Sequence, residues 1–298
     1  MESSISYFNI NWLSENDGPG KRLVVFLQGC KLDCLWCHSP HSKPDISPLL
    51  YFDSLCRGCG LCQEICKNSV HSFIDKTHIV QREKCVTCGN CIDACPNSSA
   101  YKRSGVLVLP TINSSVSALF EKIKPHLELL RDIGGITFSG GEPLIQHKAL
   151  SVLAKKCKDS GFHTALETSG IVPVEYIQDI YPFIDTWLIG MRLTNGHDNN
   201  TDLFEKNTRN TLSYLTKNSC KEIIARFPVI PRFTTSESDL SKVYDILVEY
   251  GIKKIEVLPL NPETSHYYNA MDLPAYFEGN EINTNNEFKS VFDFFNKN

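Results

Sequence analysis

The 298-residue sequence predicts an α/β fold in two parts. One part is an open, partial (β/α)6 TIM-like barrel, and the other is a small cysteine-rich module inserted into its first β/α unit. Three observations predict this. Short apolar, β-branched runs alternate with amphipathic stretches at helical period from residue 104 onward. These units number six rather than eight, so the ring is expected to stay open. Finally, 11 of the 13 cysteines lie between Cys30 and Cys95, in a stretch whose composition differs from everything around it.

Residues 1–29 read as a lead-in segment and a first strand. Asp17–Gly20 is a turn by composition, since proline fixes φ and glycine permits positive φ. The apolar run Leu23–Leu27 then leads directly into Gln28, Gly29 and Cys30. Cys30, Cys34 and Cys37 therefore lie in a loop at the C-terminal end of a strand, the end at which α/β sheets and barrels build active sites. Thiolates are soft donors that select zinc, Cu(I) or iron–sulfur clusters. Three of them are one short of a Cys₄ 4Fe–4S set, and a site lacking its last protein ligand keeps a position for substrate.

Residues 49–100 form the insert, dividing the barrel into 1–48 and 101–298. Two runs share one spacing: Cys56-x2-Cys59-x2-Cys62-x3-Cys66, and Cys85-x2-Cys88-x2-Cys91-x3-Cys95 followed by Pro96. This is the bacterial two-cluster ferredoxin-like pattern, in which each run's fourth cysteine ligates the other cluster. Cys56, Cys59, Cys62 and Cys95 are assigned to one 4Fe–4S cluster, and Cys66, Cys85, Cys88 and Cys91 to the other. Lys67 stands where a proline is expected after the first run, and zinc ribbons are the alternative use of such sets. Cys157 and Cys220 stand alone and read as ordinary thiols.

Beyond the insert, strands are expected at 135–139, 163–167, 185–189, 222–227 and 254–258. Helices are expected near 114–131, 147–160, 173–181, 202–217 and 237–250, because parallel strands need crossover connections. The tail from Glu278 is Asn-rich and closes with Phe288–Phe295, read as a covering helix. Three further strand ends carry chemistry. Gly140, Gly141 and Glu142 combine close backbone approach with a carboxylate suited to an ammonium group. Glu167, Thr168 and Ser169 add an acid and two hydroxyls, and Arg226 offers a fork for a carboxylate.

The bulk composition excludes several classes. A 42% hydrophobic and 21% charged chain is an ordinary globule. A net charge of −4 gives no general attraction to nucleic acid or anionic lipid. No apolar run has membrane-span length, and Met1–Ser4 lacks a signal peptide's basic and apolar regions. A cytoplasmic protein with no nucleic-acid or membrane partner is expected, and a monomer.

Taken together, Cys30-x3-Cys34-x2-Cys37 with Trp36, and the Gly-Gly-Glu-Pro stretch 140–143, resemble the radical S-adenosylmethionine superfamily. The insert narrows the resemblance to the glycyl radical enzyme activating enzymes, of the pyruvate formate-lyase activating type. Asp17–Gly20, Phe26–Cys30, Ser139–Leu144, Glu167–Gly170 and Arg226–Pro231 are similar to that family's sequence blocks, over roughly residues 15–260.

The resemblance implies an oxidoreductase of anaerobic metabolism with three 4Fe–4S clusters and S-adenosyl-L-methionine. Cys30, Cys34 and Cys37 would hold the cluster whose fourth iron chelates the cofactor. Trp36 would pack near adenine, while Gly140, Gly141 and Glu142 would hold the methionine amino group. Glu167, Thr168 and Arg226 match positions near the ligand's polar groups. Reductive cleavage would give a 5′-deoxyadenosyl radical that takes hydrogen from a backbone glycine of a partner glycyl radical enzyme. A flavodoxin or ferredoxin would donate the electron through the extra clusters.

Two blocks depart from the family. Many members have Asp-x-Lys after the fourth strand, where this chain has Gly190-Met191-Arg192. Arg192 restores the charge with a planar fork in place of an ammonium. After the sixth strand, Leu258–Asn261 replaces Leu-Pro-Tyr-His, leaving Asn261 or His266 to stand in for the adenine-side histidine. The competing functions are a radical enzyme acting on a small molecule or another peptide, and a non-catalytic ferredoxin-like electron carrier.

Overall fold

A computed structural model describes residues 3–297 apart from 76, 100–103, 195, 198–200, 263 and 278–284. Its main sheet has eight strands: β1 (Ser4–Ser14), β2 (Lys21–Leu27), β3 (Ile112–Ser115), β4 (Gly134–Gly140), β5 (His163–Thr168), β6 (Thr186–Gly190), β7 (Glu222–Val229) and β8 (Lys254–Pro259). They lie in the order β8-β7-β6-β5-β4-β2-β1-β3, and the two edge strands do not pair. Six strands, β2 and β4 to β8, run parallel in chain order. Crossover helices α1 (Val116–Leu130), α2 (His147–Asp159), α3 (Val174–Ile180), α4 (Thr201–Lys217) and α5 (Glu237–Glu249) connect them. Each falls within a few residues of its expected place.

The lead-in segment differs from its sequence reading. Residues Ser4–Ser14 form β1, antiparallel to both β2 and β3. Its pairing with β2 shifts register between Tyr7 and Asn9 and again between Asn11 and Ser14. Those irregularities, with asparagines that disfavour strands, hide the alternation in the sequence. Ile5 and Tyr7 enter the core.

The helices follow capping rules. Ser115 accepts the Ala118 N–H at the start of α1, and Ser236 accepts the Asp239 N–H at the start of α5. Leu119, Ile123 and Leu127, on one face of α1, are fully buried against the sheet. A last helix, α7 (Asn285–Lys297), follows the shorter α6 (Thr264–Met271). Val291 and Phe295 of α7 are buried, with the Phe295 ring 5.2 Å from Phe227, so the expected covering helix exists. The Asn-rich stretch before it lies outside the described residues up to 284. No helix among the described residues is long and apolar enough to cross a membrane.

Arg22, the second residue of β2, is fully buried. Its guanidinium donates to Thr137 Oγ1 (3.0 Å), to the Pro19 carbonyl (3.2 Å) and to the Ile136 carbonyl. Burial lowers its pKa to about 10, which still leaves it charged at neutral pH. These bonds fasten the Asp17–Gly20 turn to the sheet, as does Thr137 donating to the Asp17 carbonyl at 2.6 Å.

Between β2 and β3 the chain builds small elements of its own. Leu50–Tyr51 pairs with Leu107–Val108, bracketing the cysteine-rich stretch, while the expected boundary at 100–101 lies outside the described residues. Inside the bracket are a hairpin (His71–Ile74 with Thr77–Val80) and two five-residue helices, Leu61–Ile65 and Asn90–Ala94. Each helix is entered through a left-handed glycine, Gly60 (φ 82°) or Gly89 (φ 81°), so the two cysteine runs repeat in conformation as well as spacing.

Candidate active site

The C-terminal ends of the parallel strands and the three-cysteine loop enclose a cavity of about 360 Å³. Its lining contains Cys30, Cys34, Cys37, Trp36, Gly140, Gly141, Glu167, Thr168, Arg192, Arg226 and Asn261. Residues from six segments of the sequence thus converge on one site.

The Gly140-Gly141 turn explains how the cysteine loop is placed. Gly141 donates its N–H to the Leu27 carbonyl at 2.9 Å, and Glu142 donates to the Gly29 carbonyl at 2.8 Å. A β-carbon on Gly140 would fall 2.2 Å from Leu27 N, and one on Gly141 would fall 2.4 Å from Gly29 O. Only glycine allows the turn to dock on the backbone leading into Cys30.

Glu142 is the one residue of the predicted set outside the lining. Buried at 3% exposure, its carboxylate accepts Thr168 Oγ1 (2.7 Å), Ser169 N (2.9 Å), Ser169 Oγ (2.6 Å) and Leu144 N (3.2 Å). It ties the end of β4 to the end of β5 and leaves the cavity wall to the Gly140 and Gly141 backbone.

The two arginines occupy different environments. Arg226 donates to Glu167 Oε1 at 3.0 Å and to the Asn16 carbonyl at 2.6 Å. Glu256 approaches its Nε at 3.2 Å, and Asp17 lies 3.8 Å away. This guanidinium is already surrounded by carboxylates of the chain. Glu167 also accepts Ser139 Oγ at 2.6 Å. Burial alone would raise the Glu167 pKa, but Arg226 and then Ser139 hold it below the usual carboxylate range.

Arg192 makes no carboxylate ion pair among the described residues: its Nη1 lies 3.9 Å from Cys34 Sγ, and its buried Nε has no hydrogen-bond partner among them. An unsatisfied buried donor in a cavity wall marks a place for an anionic ligand.

Trp36 is 6% exposed, and its ring lies 5.8 Å from Phe233, within an apolar cluster that includes Cys34, Ile230, Leu260 and Phe277. Asn261 reaches the lining, whereas His266 stacks on Phe52 (5.0 Å) in a separate groove. Of the two stand-ins for the missing histidine, the fold brings Asn261 to the site. Ser169 also lines the cavity, and so do Asp17, His38 and Ser139, which the sequence reading did not single out. Asp17, Ser139 and Ser169 sit inside motifs already noted, and His38 follows Cys37 directly; Glu256 on β8 had no local signal.

The thiols suit a metal cluster. Burial, and next the Glu142 carboxylate, push the Cys30 thiol up to about 12, and burial also raises Cys37. Such groups become thiolates when a cation supplies the compensating charge.

In the insert, one small cavity is lined by Cys56, Cys59, Cys62 and Cys95, and a second by Cys66, Cys85, Cys88 and Cys91. Each is the interleaved set expected from the spacing. Gly58 N–H points at Cys56 Sγ and Thr87 N–H at Cys85 Sγ, both at 3.4 Å, so the two halves also repeat in their backbone donors. Burial lifts Cys62 to about 11 and Cys91 to about 12.

The chain matches the family described as "4Fe-4S single cluster domain" over residues 16–212. It is 31% identical over 261 residues to the 4-hydroxyphenylacetate decarboxylase activating enzyme of Clostridioides difficile (strain 630), covering 85% of this chain and 81% of that protein. The indoleacetate decarboxylase activating enzyme of Tractidigestivibacter scatoligenes is 29% identical over 269 residues, covering 85% and 82%. The (2S)-3-sulfopropanediol dehydratase activating enzyme of Klebsiella oxytoca is 30% identical over 293 residues, covering 93% and 88%.

Proposed function

Because the chain belongs to the glycyl radical enzyme activating enzymes of the radical S-adenosylmethionine type, we propose that its 360 Å³ cavity holds a 4Fe–4S cluster and S-adenosylmethionine side by side. The observation that carries this is the lining itself. Three cysteines face the cavity with no fourth among the described residues, beside a glycine turn and an unpaired arginine donor. When bound, the cluster would supply the one electron that breaks the sulfonium C5′–S bond, releasing methionine and a 5′-deoxyadenosyl radical that would take hydrogen from a backbone glycine of a partner enzyme, leaving 5′-deoxyadenosine and a glycyl radical.

The chain's own residues bind and orient. Cys30, Cys34 and Cys37 supply thiolates from a loop held by the Gly141 and Glu142 amides. The exposed backbone of Gly140 and Gly141 receives the methionine amino group, with Glu142 bracing the turn from behind. Arg192 takes the methionine carboxylate, and Trp36 and Asn261 form the adenine side. Arg226 keeps Glu167 ionised and in position, and Glu167 with Thr168 presents oxygen atoms to the ligand's hydroxyls and ammonium.

The insert is assigned two further 4Fe–4S clusters, on Cys56, Cys59, Cys62 and Cys95 and on Cys66, Cys85, Cys88 and Cys91. They relay electrons inward from a flavodoxin or ferredoxin. A cytoplasmic monomer acting on one large glycyl radical partner completes the reading. The named relatives serve decarboxylases and a dehydratase, and the partner read for this chain is a glycyl radical enzyme.

Iron analysis with product detection tests the whole. Anaerobically reconstituted protein should hold about 12 irons per chain, four per cluster, and form 5′-deoxyadenosine after reduction with S-adenosylmethionine present. Replacing Cys30, Cys34 and Cys37 with Ala should remove about four irons and all 5′-deoxyadenosine. Product formation by that triple variant would overturn the assignment of the site, and iron near four in the intact protein would overturn that of the insert.

A further inference from the structure

Two buried histidines stand between the accessory cysteine sets, and the proposed electron relay gives them no role. His71 and His78 lie on opposite strands of the insert's hairpin. Val80 pairs with His71 and His78 with Phe73, so the two histidines are diagonal neighbours on one face. They are 3% and 8% exposed. His78 lines the cavity of Cys56, Cys59, Cys62 and Cys95, while His71 lines that of Cys66, Cys85, Cys88 and Cys91. The rings meet through His71 Nδ1 and His78 Nε2 at 3.0 Å.

His78 faces sulfur with both nitrogens. Nδ1 lies 3.8 Å from Cys56 Sγ and Nε2 lies 3.6 Å from Cys62 Sγ. A neutral imidazole carries one N–H, on either nitrogen. If His71 donates to His78 Nε2, the His78 proton sits on Nδ1 and points at Cys56. If His78 donates instead, its Nε2–H is shared between His71 and Cys62. In either tautomer one N–H faces a sulfur of the same cysteine set. His71 is not equivalent, because its Nε2 has no partner among the described residues and carries a proton in only one of the two arrangements.

We propose that His78, oriented by His71, donates an N–H···S hydrogen bond to the cluster held by Cys56, Cys59, Cys62 and Cys95 and so raises the reduction potential of that cluster selectively. The reduced cluster carries the greater negative charge, so a donor to its sulfurs stabilises it more than the oxidised form. His78 is a positioning residue for electron transfer. This inference rests on the two-cluster reading of the insert.

The test is an EPR-monitored redox titration of the full chain with its clusters reconstituted, with iron counted on each sample. Cys59→Ala identifies which accessory signal belongs to which cysteine set. His78→Phe keeps the stack on Phe73 (4.6 Å, 12°) and the edge contact with Tyr51 (4.5 Å) while deleting both nitrogens. It should make reduction of the Cys56-set cluster about tenfold less favourable, about 59 mV lower for a one-electron couple, and leave the other accessory couple in place. His78→Gln, which returns an N–H, should recover part of the shift, and His71→Phe should give a smaller shift in the same direction.

Unshifted couples in the His78→Phe protein, or a shift in the other cluster only, would overturn the proposal while the iron count upheld the two clusters. Should the Phe variant lose iron, the wild-type protein decides. A histidine nitrogen coupled to the reduced Cys56-set cluster, seen after histidine-selective ¹⁵N labelling and so distinct from the Gly58 amide, supports the proposal, and its absence refutes it. Iron near four per chain in the wild type would reject the two-cluster reading, and the proposal with it.

Discussion

Ser169 gives both its backbone N–H (2.9 Å) and its hydroxyl (2.6 Å) to Oε2 of Glu142. With Thr168 on Oε1, the carboxylate becomes a clamp between the turn after β4 and the turn after β5. The same β4 turn donates two amides to the backbone before Cys30, so Glu142 acts on the cysteine loop at one remove.

Glu142→Ala should therefore lower stability by about 2–3 kcal/mol, since buried donors lose a charged acceptor. Iron retention at the three-cysteine site should fall with it. Anaerobic thermal unfolding and iron analysis check this. Unchanged stability together with weakened S-adenosylmethionine binding would mean that Glu142 contacts the cofactor instead of supporting the turn.

For Arg192 the expectation is the reverse. Its buried Nε lacks a hydrogen-bond partner among the described residues, and its Nη1 lies 3.9 Å from the Cys34 sulfur. A charge-assisted hydrogen bond contributes about 1.5–3 kcal/mol, so Arg192→Ala should weaken S-adenosylmethionine binding by about one to two orders of magnitude. Arg192→Lys should recover part of the loss, because charge returns without the fork. Equilibrium binding to the cluster-loaded protein measures it. An affinity within twofold of wild type would exclude Arg192 from the carboxylate site.

Arg226 neutralises a cluster of acids. Removing it leaves Glu167, Glu256 and Asp17 facing one another with no cation between them. Arg226→Ala should cost on the order of 3–5 kcal/mol of stability, the range for breaking a buried pair from one side. Glu167→Gln in the same background should restore part of it, because one of the opposed charges is gone. If the single variant unfolds like wild type and only ligand binding suffers, Arg226 belongs with the cofactor.

Acid stability should depend on Asp185, at the opposite end of the sheet from the cavity. Burial alone would raise its pKa. Lys158 and Lys221 (2.6 Å), with the Thr164 amide at 3.1 Å, outweigh burial and hold it well below the usual carboxylate range. A depressed folded pKa contributes stability that is complete above the unfolded value near 3.9 and is lost as pH falls below it. Asp185→Asn should lower stability at pH 7 and flatten the decline below about pH 4. Unfolding midpoints measured between pH 7 and pH 3 would show it, and an acid limb identical to wild type would remove Asp185 from the explanation.

The cysteine groupings were legible because their information is local. Spacings of two and three residues repeat along the chain, and each interleaved set of four lines one small cavity. The six parallel strands were legible for a similar reason, since each is a short apolar run with a crossover helix beside it. β1 escaped because its asparagines and two register shifts break the alternation on which a strand is recognised.

What the tertiary structure alone decided is the division of labour among like side chains. In the sequence, Arg192 and Arg226 are two arginines at the ends of strands, and Glu142 and Glu167 are two acids at the ends of strands. The parallel sheet sets Arg226 on β7 against Glu256 on the neighbouring β8 and Glu167 on β5, two strands away, and leaves Arg192 facing the cysteine loop. It also turns Glu142 away from the cavity, toward Thr168 and Ser169. The role of a charged group depends on which charges and donors lie within about 4 Å of it. Those partners come from residues 26 to 158 positions away in the chain, a distance over which local pattern carries no information.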